Sequence, residues 1–235
     1  MIAMRAFRCR LRPLLGCAIS LISSLVAQAQ TAGPLPRVLI LGDVIYQEPV
    51  ASLAKEFKGR AEVVRGDLKS GEGLSTTTAL AGLDTLLGTG KWDLIHFNFG
   101  LGDLIHRAPG MKSFRVMPID SGGVRTTDPK LYESNLRELV KRLKATGAKL
   151  VWASTTPIRA SATNVFRLGS EIEYNEIAAK VMTEAQIPIN DMYSHARSLM
   201  NMDKPGSHGV DPFYFDGKPI HEPIAKIIQS HLALP

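Results

Sequence analysis

Short, almost continuous apolar runs recur along the chain, and the stretches between them return apolar residues every three or four positions. The runs VLIL at 38–41, AEVV at 61–64, LIHFNF at 94–99, KLVWAS at 149–154 and IPIN at 187–190 read as strands. The windows at about 47–58, 76–88, 130–146, 170–185 and 222–232 carry helical periodicity. The best defined of these opens at Asp128-Pro129, a capping carboxylate followed by proline at the first helical position. Leu136, Leu139, Val140 and Leu143 then fall on one face, and Gly147 stops the pattern. Apolar strands alternating with amphipathic helices predict a three-layer α/β/α sandwich around a mostly parallel sheet of about five strands. The sequence shows no internal repeat and no low-complexity segment.

The first 29 residues stand apart. Arg5, Arg8, Arg10 and Arg12 form a basic segment without an acidic residue, LLGCAISLISSLV follows, and Ala27-x-Ala29 offers a cleavage site. This is the pattern of a secretory signal peptide, and its apolar run is short for a membrane span. Two other readings compete. Cys17 in LLGC suggests a lipid-attachment signal, although most of the apolar run follows that cysteine, and an uncleaved segment would serve as an anchor. The expected division is a signal peptide at 1–29, a linker at 30–36 and one domain at 37–235, exported to the periplasm or beyond, with no stable membrane span once the signal is removed.

Removing that segment changes what charge and cysteine content mean. The formal charge of +6 includes its four arginines, which leaves +2 for residues 30–235. The basicity then says little about nucleic acid, and Trp92 and Trp152 lie at strand patterns rather than among basic residues. Both cysteines, Cys9 and Cys17, also fall in the segment, so the domain holds no disulfide and depends on its core. With 45% hydrophobic residues the chain is long enough to build one. No HxxxH, Cys/His cluster or aspartate-rich loop suggests a metal, and no GxGxxG or Walker pattern suggests a nucleotide cofactor. Neither a metal nor another cofactor is expected.

Parallel sheets of this kind bind ligands outside the carboxyl ends of their strands. The positions to inspect are therefore Gly42-Asp43-Val44, the 65–75 loop, Gly100 to Asp103, Thr155-Thr156-Pro157 and the loop before the last helix. The quoted segments ILGDVIY, KWDLIHFNFGLGDL, LRELVKRLKATGAKLVWASTTPI and EYNEIAAKVMTEAQIPINDMY resemble the SGNH/GDSL hydrolases, and look most like their secreted, sugar-ester branch. The likeness runs from about Arg37 to the C-terminus and implies a flavodoxin-like doubly wound sheet. It also implies a pocket for a small-molecule or carbohydrate-ester ligand.

Catalysis in that family needs a serine after Gly-Asp, a histidine oriented by an aspartate three residues earlier, and an oxyanion hole completed by the asparagine of a GxND motif. Carried onto this chain, the serine falls on Val44, the loop glycine on Gly71 or Gly73, and the asparagine on Gly102. The aspartate falls on Asp211 and the histidine on Tyr214, with His208 and His221 as nearby imidazoles that could act as base. Val44 has no lone pair with which to attack an ester. Three readings follow: a hydrolase-type domain whose serine esterase activity is lost or strongly reduced, an active ester hydrolase that uses His208 or His221 to activate water, and a non-catalytic interaction protein of the cell envelope.

Other polar residues have plainer expected roles. Asp43 is expected to bond amides of its own turn, Asp103 to brace its loop, and Ser75 to Thr78 to cap a helix. His96 is expected in the core and His106 in a solvated loop.

Overall fold

In the computed structural model, which describes residues 33–68, 74–110, 115–160, 164–201, 215 and 217–234, the five apolar runs pair into one parallel sheet. Strand β1 (Arg37–Leu41) passes through a short 3-10 turn (Val44–Tyr46) into α1 (Gln47–Glu56), and β2 (Glu62–Arg65) follows. Helices α2 (Thr76–Ala81) and α3 (Leu83–Leu87) lead to β3 (Leu94–Phe97) and then α4 (Leu101–Leu104). A small antiparallel pair, β4 (His106–Arg107) and β5 (Val124–Arg125), precedes α5 (Pro129–Lys144) and β6 (Lys149–Ala153). The chain closes with α6 (Ser170–Glu184), β7 (Ile189–Asn190), α7 (Met192–Leu199) and α8 (Glu222–Leu232).

The strand order is β2-β1-β3-β6-β7, and every neighbouring pair is parallel. Helices α2, α5 and α6 pack on one another in one layer, while α1 packs on β2 and α8 on β3 and β7. The expected three-layer α/β/α sandwich is therefore the architecture. Burial on both faces explains why β1, β3 and β6 read as unbroken apolar runs instead of alternating ones: Leu39, Ile40, Leu41, Ile95, Phe97, Val151 and Trp152 are all shielded from solvent. The first strand lies between the second and third, so the chain reverses its winding at the β1–β3 boundary, where sheets of this order open a crevice.

Local signals set most boundaries. The Asp128 carboxylate accepts from the amides of Lys130 and Leu131, which caps α5 as its sequence requires. Its apolar stripe buries Leu136, Leu139 and Leu143, and Tyr132 stacks against Tyr174 of α6 with ring centroids 4.4 Å apart. The window at 76–88 forms two helices rather than one, because Gly82 interrupts it and the Leu68 side chain packs where a β-carbon would stand. The run at 187–190 contributes only Ile189 and Asn190 to the sheet, after which Asp191 caps α7 by accepting from the Ser194 amide.

Replacing Asp128 with alanine leaves two amides at the start of α5 without their acceptor. The Asp128→Ala protein is expected to lose about 1 kcal/mol of stability, read as a lower urea midpoint with an unchanged m-value.

Candidate functional site at the β1–β3 switch point

Two loops meet at the winding reversal. One carries Gly42, Asp43 and Val44 from β1; the other carries Gly100 to Asp103 from β3 into α4. Val44 begins the 3-10 turn with its side chain 54% exposed, while Asp43 beside it is buried. The two consecutive residues thus split, a carboxyl turned into the protein and an isopropyl group turned out.

Asp103 is the anchor of the site. It is fully buried, and the Thr76 amide donates to both of its oxygens at 3.0 and 2.9 Å while the Thr76 hydroxyl donates at 2.6 Å. Thr76 opens α2, where Ser75 caps the helix and exchanges bonds with Thr78. Asn135 of α5 donates to the hydroxyls of Thr76 and Thr77 at 3.2 and 3.0 Å, and the Tyr132 hydroxyl donates to the Phe99 carbonyl at 2.7 Å. Burial pushes the Asp103 carboxyl up to about 6 despite these donors.

Asp43 departs from expectation. Its side chain does not cap its own turn; it faces the amides of Gly102 and Leu101 across the switch point, and its buried Oδ2 has no hydrogen-bond partner among the described residues. Burial, with the neighbouring Asp103 charge, pushes its carboxyl up to about 8, against those two amides and the charge of Arg65. Near neutral pH Asp43 is therefore largely protonated.

Gly102 is a position with no room for a side chain. A β-carbon there would overlap the carbonyl oxygen of Leu74 and stand 2.7 Å from its carbon and 3.0 Å from Asp43 Oδ1. The backbone just before α2 fills the space from which an amide side chain would reach out. Gly100 is similarly constrained, since a β-carbon would meet the Thr155 side chain. Asn98 reinforces that junction, donating to the Ala153 carbonyl at 2.8 Å and the Thr155 hydroxyl at 3.1 Å.

The structure thus brings Asp43, Val44, Gly102 and Asp103 together. Gly71, Gly73, His208, Asp211 and Tyr214 lie outside the described residues. His221 immediately precedes α8, with Nε2 3.9 Å from the Glu56 carboxylate at the end of α1. His96 is a core residue, bonded to the Asn190 amide at 3.1 Å and held neutral by burial, which lowers its pKa to about 3. His106 is not solvated as expected: it is buried in β4, with Nδ1 3.0 Å from the Val165 carbonyl. Sequence reasoning placed Thr76 only in a capping cluster and did not single out Leu74 or Asn135; the STTT run marked the helix start, and no local pattern marked its carboxylate partner.

Among the described residues no group of three His, Cys, Asp or Glu side chains is placed to hold a metal, and no helix is long and apolar enough to cross a membrane. No family model and no curated protein matches the sequence. Solved structures do match the fold. An acetyl xylan esterase, AlAXEase, superposes with a TM-score of 0.60 at 13% identity, covering 83% of this chain and 98% of that one. A lipase/acylhydrolase from Enterococcus faecalis gives 0.62 at 14% identity, over 83% and 96% of the two chains. A GDSL-like lipase from Bacteroides thetaiotaomicron gives 0.53 at 14%, over 85% and 89%. The fold of this chain is that of the SGNH/GDSL hydrolases.

Two outcomes follow from the site's geometry. An unfolded carboxyl titrates near 4 and native Asp43 near 8, so the native state keeps a proton that the unfolded chain has lost. This contribution to stability is fully present below about pH 4 and is lost as the pH rises through about 8. Chemical denaturation across that window is expected to show a loss on the order of a few kcal/mol, much of it removed in Asp43→Asn. Gly102→Ala is expected to cost more than about 2 kcal/mol, because the added carbon meets backbone rather than a side chain that can turn away.

Proposed function

We propose that this protein is an exported domain of SGNH/GDSL hydrolase type whose serine-dependent esterase activity is lost or strongly reduced. It keeps a pocket at the β1–β3 switch point for a carbohydrate or other ester-like small molecule. The observation that carries this reading is Val44, which stands exposed at the end of β1 in the place where the resemblance puts the nucleophile. An acyl-enzyme requires an attacking heteroatom and a proton for a base to remove, and an isopropyl group supplies neither. Loss of a triad serine alone costs about 10⁶ in kcat.

The oxyanion side supports the same conclusion. With Gly102 where the resemblance puts the asparagine and the Leu74 carbonyl packed against it, that position supplies no side-chain donor to a developing charge, and a carbonyl there would repel it. Asp43, mostly protonated near neutral pH, suits an uncharged ligand beside it. Export rests on the N-terminal pattern of a basic segment, an apolar run and Ala27-x-Ala29. The neighbouring acetyl xylan esterase and acylhydrolase structures support the substrate-like character of the ligand.

The purified protein is expected to release no burst of product from activated acyl esters and to escape labelling by serine-directed phosphonates. Val44→Ser should fold normally, because the residue is exposed, with a stability change within about 0.5 kcal/mol. It should nevertheless recover little turnover: the Gly102 position offers only backbone, and Tyr214, with a reference pKa of about 10, makes a poor base. Robust turnover by the unmodified protein that disappears in His208→Ala or His221→Ala would overturn this reading in favour of direct water attack.

A further inference from the structure

The flank that follows the switch point is where the domain concentrates its positive charge. Residues 104–127 and 155–169 hold five arginines, Arg107, Arg115, Arg125, Arg159 and Arg167, with Asp120 as their one acidic residue. Residues 30–235 as a whole carry a formal charge of only +2, so the remainder of the domain is net negative. The carboxylates that border the first stretch are committed, Asp103 to Thr76 and Asp128 to the start of α5.

Backbone bonds gather these arginines onto one small platform. Its middle strand is β4, which pairs with β5 on one side while Arg107 bridges Val116 on the other. The Ala108 amide donates to the Arg115 carbonyl at 3.1 Å, and the His106 amide donates to the Val165 carbonyl at 2.9 Å. The Ile119 amide adds a second tie to the later stretch, donating to the Asn164 carbonyl at 2.8 Å. Distant stretches of chain thus become neighbours. Arg115 and Arg167 are exposed, Arg107 and Arg125 partly so, and Arg159 is buried. Of Arg115, Arg125 and Arg167, only Arg125 is ion-paired among the described residues, to Glu173 at 3.5 Å. The charges converge around His106: burial lowers its pKa first, and Arg125 and Arg167 both lower it further, against bonds to the Val165 and Leu104 backbone.

We propose that this platform binds an acidic polysaccharide, whose carboxylate or sulfate groups are taken by the guanidinium groups of Arg107, Arg115, Arg125 and Arg167. Arginine suits such groups because its planar fork donates two parallel bonds to one of them. Strand register decides the shape of the partner. Arg107 stands opposite Val124 and His106 opposite Arg125, so Arg107 and Arg125 point to opposite faces of the strand pair. A flat bilayer meets one face alone, whereas a flexible chain passes round the rim and reaches both. Single-stranded nucleic acid needs aromatic rings on which its bases stack. Among the described residues, the exposed large apolar side chains beside these arginines are aliphatic, Val124 and Leu168. None of these arginines belongs to the switch-point loops, so binding here stands or falls whatever becomes of ester hydrolysis.

The probe is polygalacturonate, with its methyl ester as a neutral chain of the same backbone, followed by calorimetry and backbone amide NMR. The work is done at about 0.1 M salt, where charges are screened beyond about 10 Å. Polygalacturonate should give saturable shifts at residues 105–108, 115–117, 124–126 and 164–168, and the methyl ester should bind at least about tenfold more weakly. Raising the salt to about 1 M should abolish binding. Arg115→Glu with Arg167→Glu, two exposed positions, should weaken it at least about tenfold. Lys55→Glu with Lys58→Glu, the same charge change at exposed positions by the end of α1, should shift affinity less than about twofold. Absence of saturable binding, equal binding of the methyl ester, equal weakening in the two double variants, or shifts mapping elsewhere would each overturn the assignment. So would a preference for phosphatidylglycerol vesicles or oligothymidylate over polygalacturonate.

Discussion

The carboxylate of Asp103 has lost all contact with water, and a buried charge of that kind survives only where donors are supplied to it. Thr76 supplies them, with its amide and its hydroxyl, from the first residue of α2. That single anchorage ties the loop after β3 to the start of a helix some 27 residues earlier in the chain. Asn135 locks the same threonine to α5, and the Thr127 amide donates to the Asp103 carbonyl at 3.0 Å. The floor of the switch-point site is therefore one block built from three separate segments.

Two properties of the site descend from this arrangement. Pulling α2 onto Asp103 carries Leu74, two residues upstream of Thr76, against Gly102, so a side chain cannot stand there. The same anchorage places one buried carboxyl close enough to Asp43 to feel its charge, and of the two only Asp103 has donors enough to ionise readily. Asp43 is left with an oxygen unpartnered among the described residues and keeps its proton near neutral pH. The crowding at Gly102 and the protonated aspartate are thus consequences of one packing decision, beside the outward-facing Val44.

Fold and chemistry separate cleanly in this molecule. The sheet and its two helix layers depend on apolar runs and caps that have nothing to do with ester hydrolysis, which is why structures of an acetyl xylan esterase and an acylhydrolase superpose at 13% and 14% identity. A scaffold held together by its core leaves a loop residue such as Val44 free to vary, because that residue is more than half exposed.

By itself the sequence determined the layers, the parallel sheet, the capped start of α5 and the absence of a nucleophile after Gly-Asp, because apolar periodicity, Asp-Pro caps and residue identity are local properties. It mistook 76–88 for one helix, since a single glycine is a weak local signal, and it carried no sign of β4, β5 or α7, whose short lengths offer too few residues to establish a period. Only the tertiary structure decided that Asp43 turns away from its own loop toward Leu101 and Gly102, that His106 is buried against Val165, and that Leu74 occupies the space beside Gly102. Each of those outcomes depends on which distant backbone approaches a side chain and excludes water from it, a quantity that no window of neighbouring residues contains.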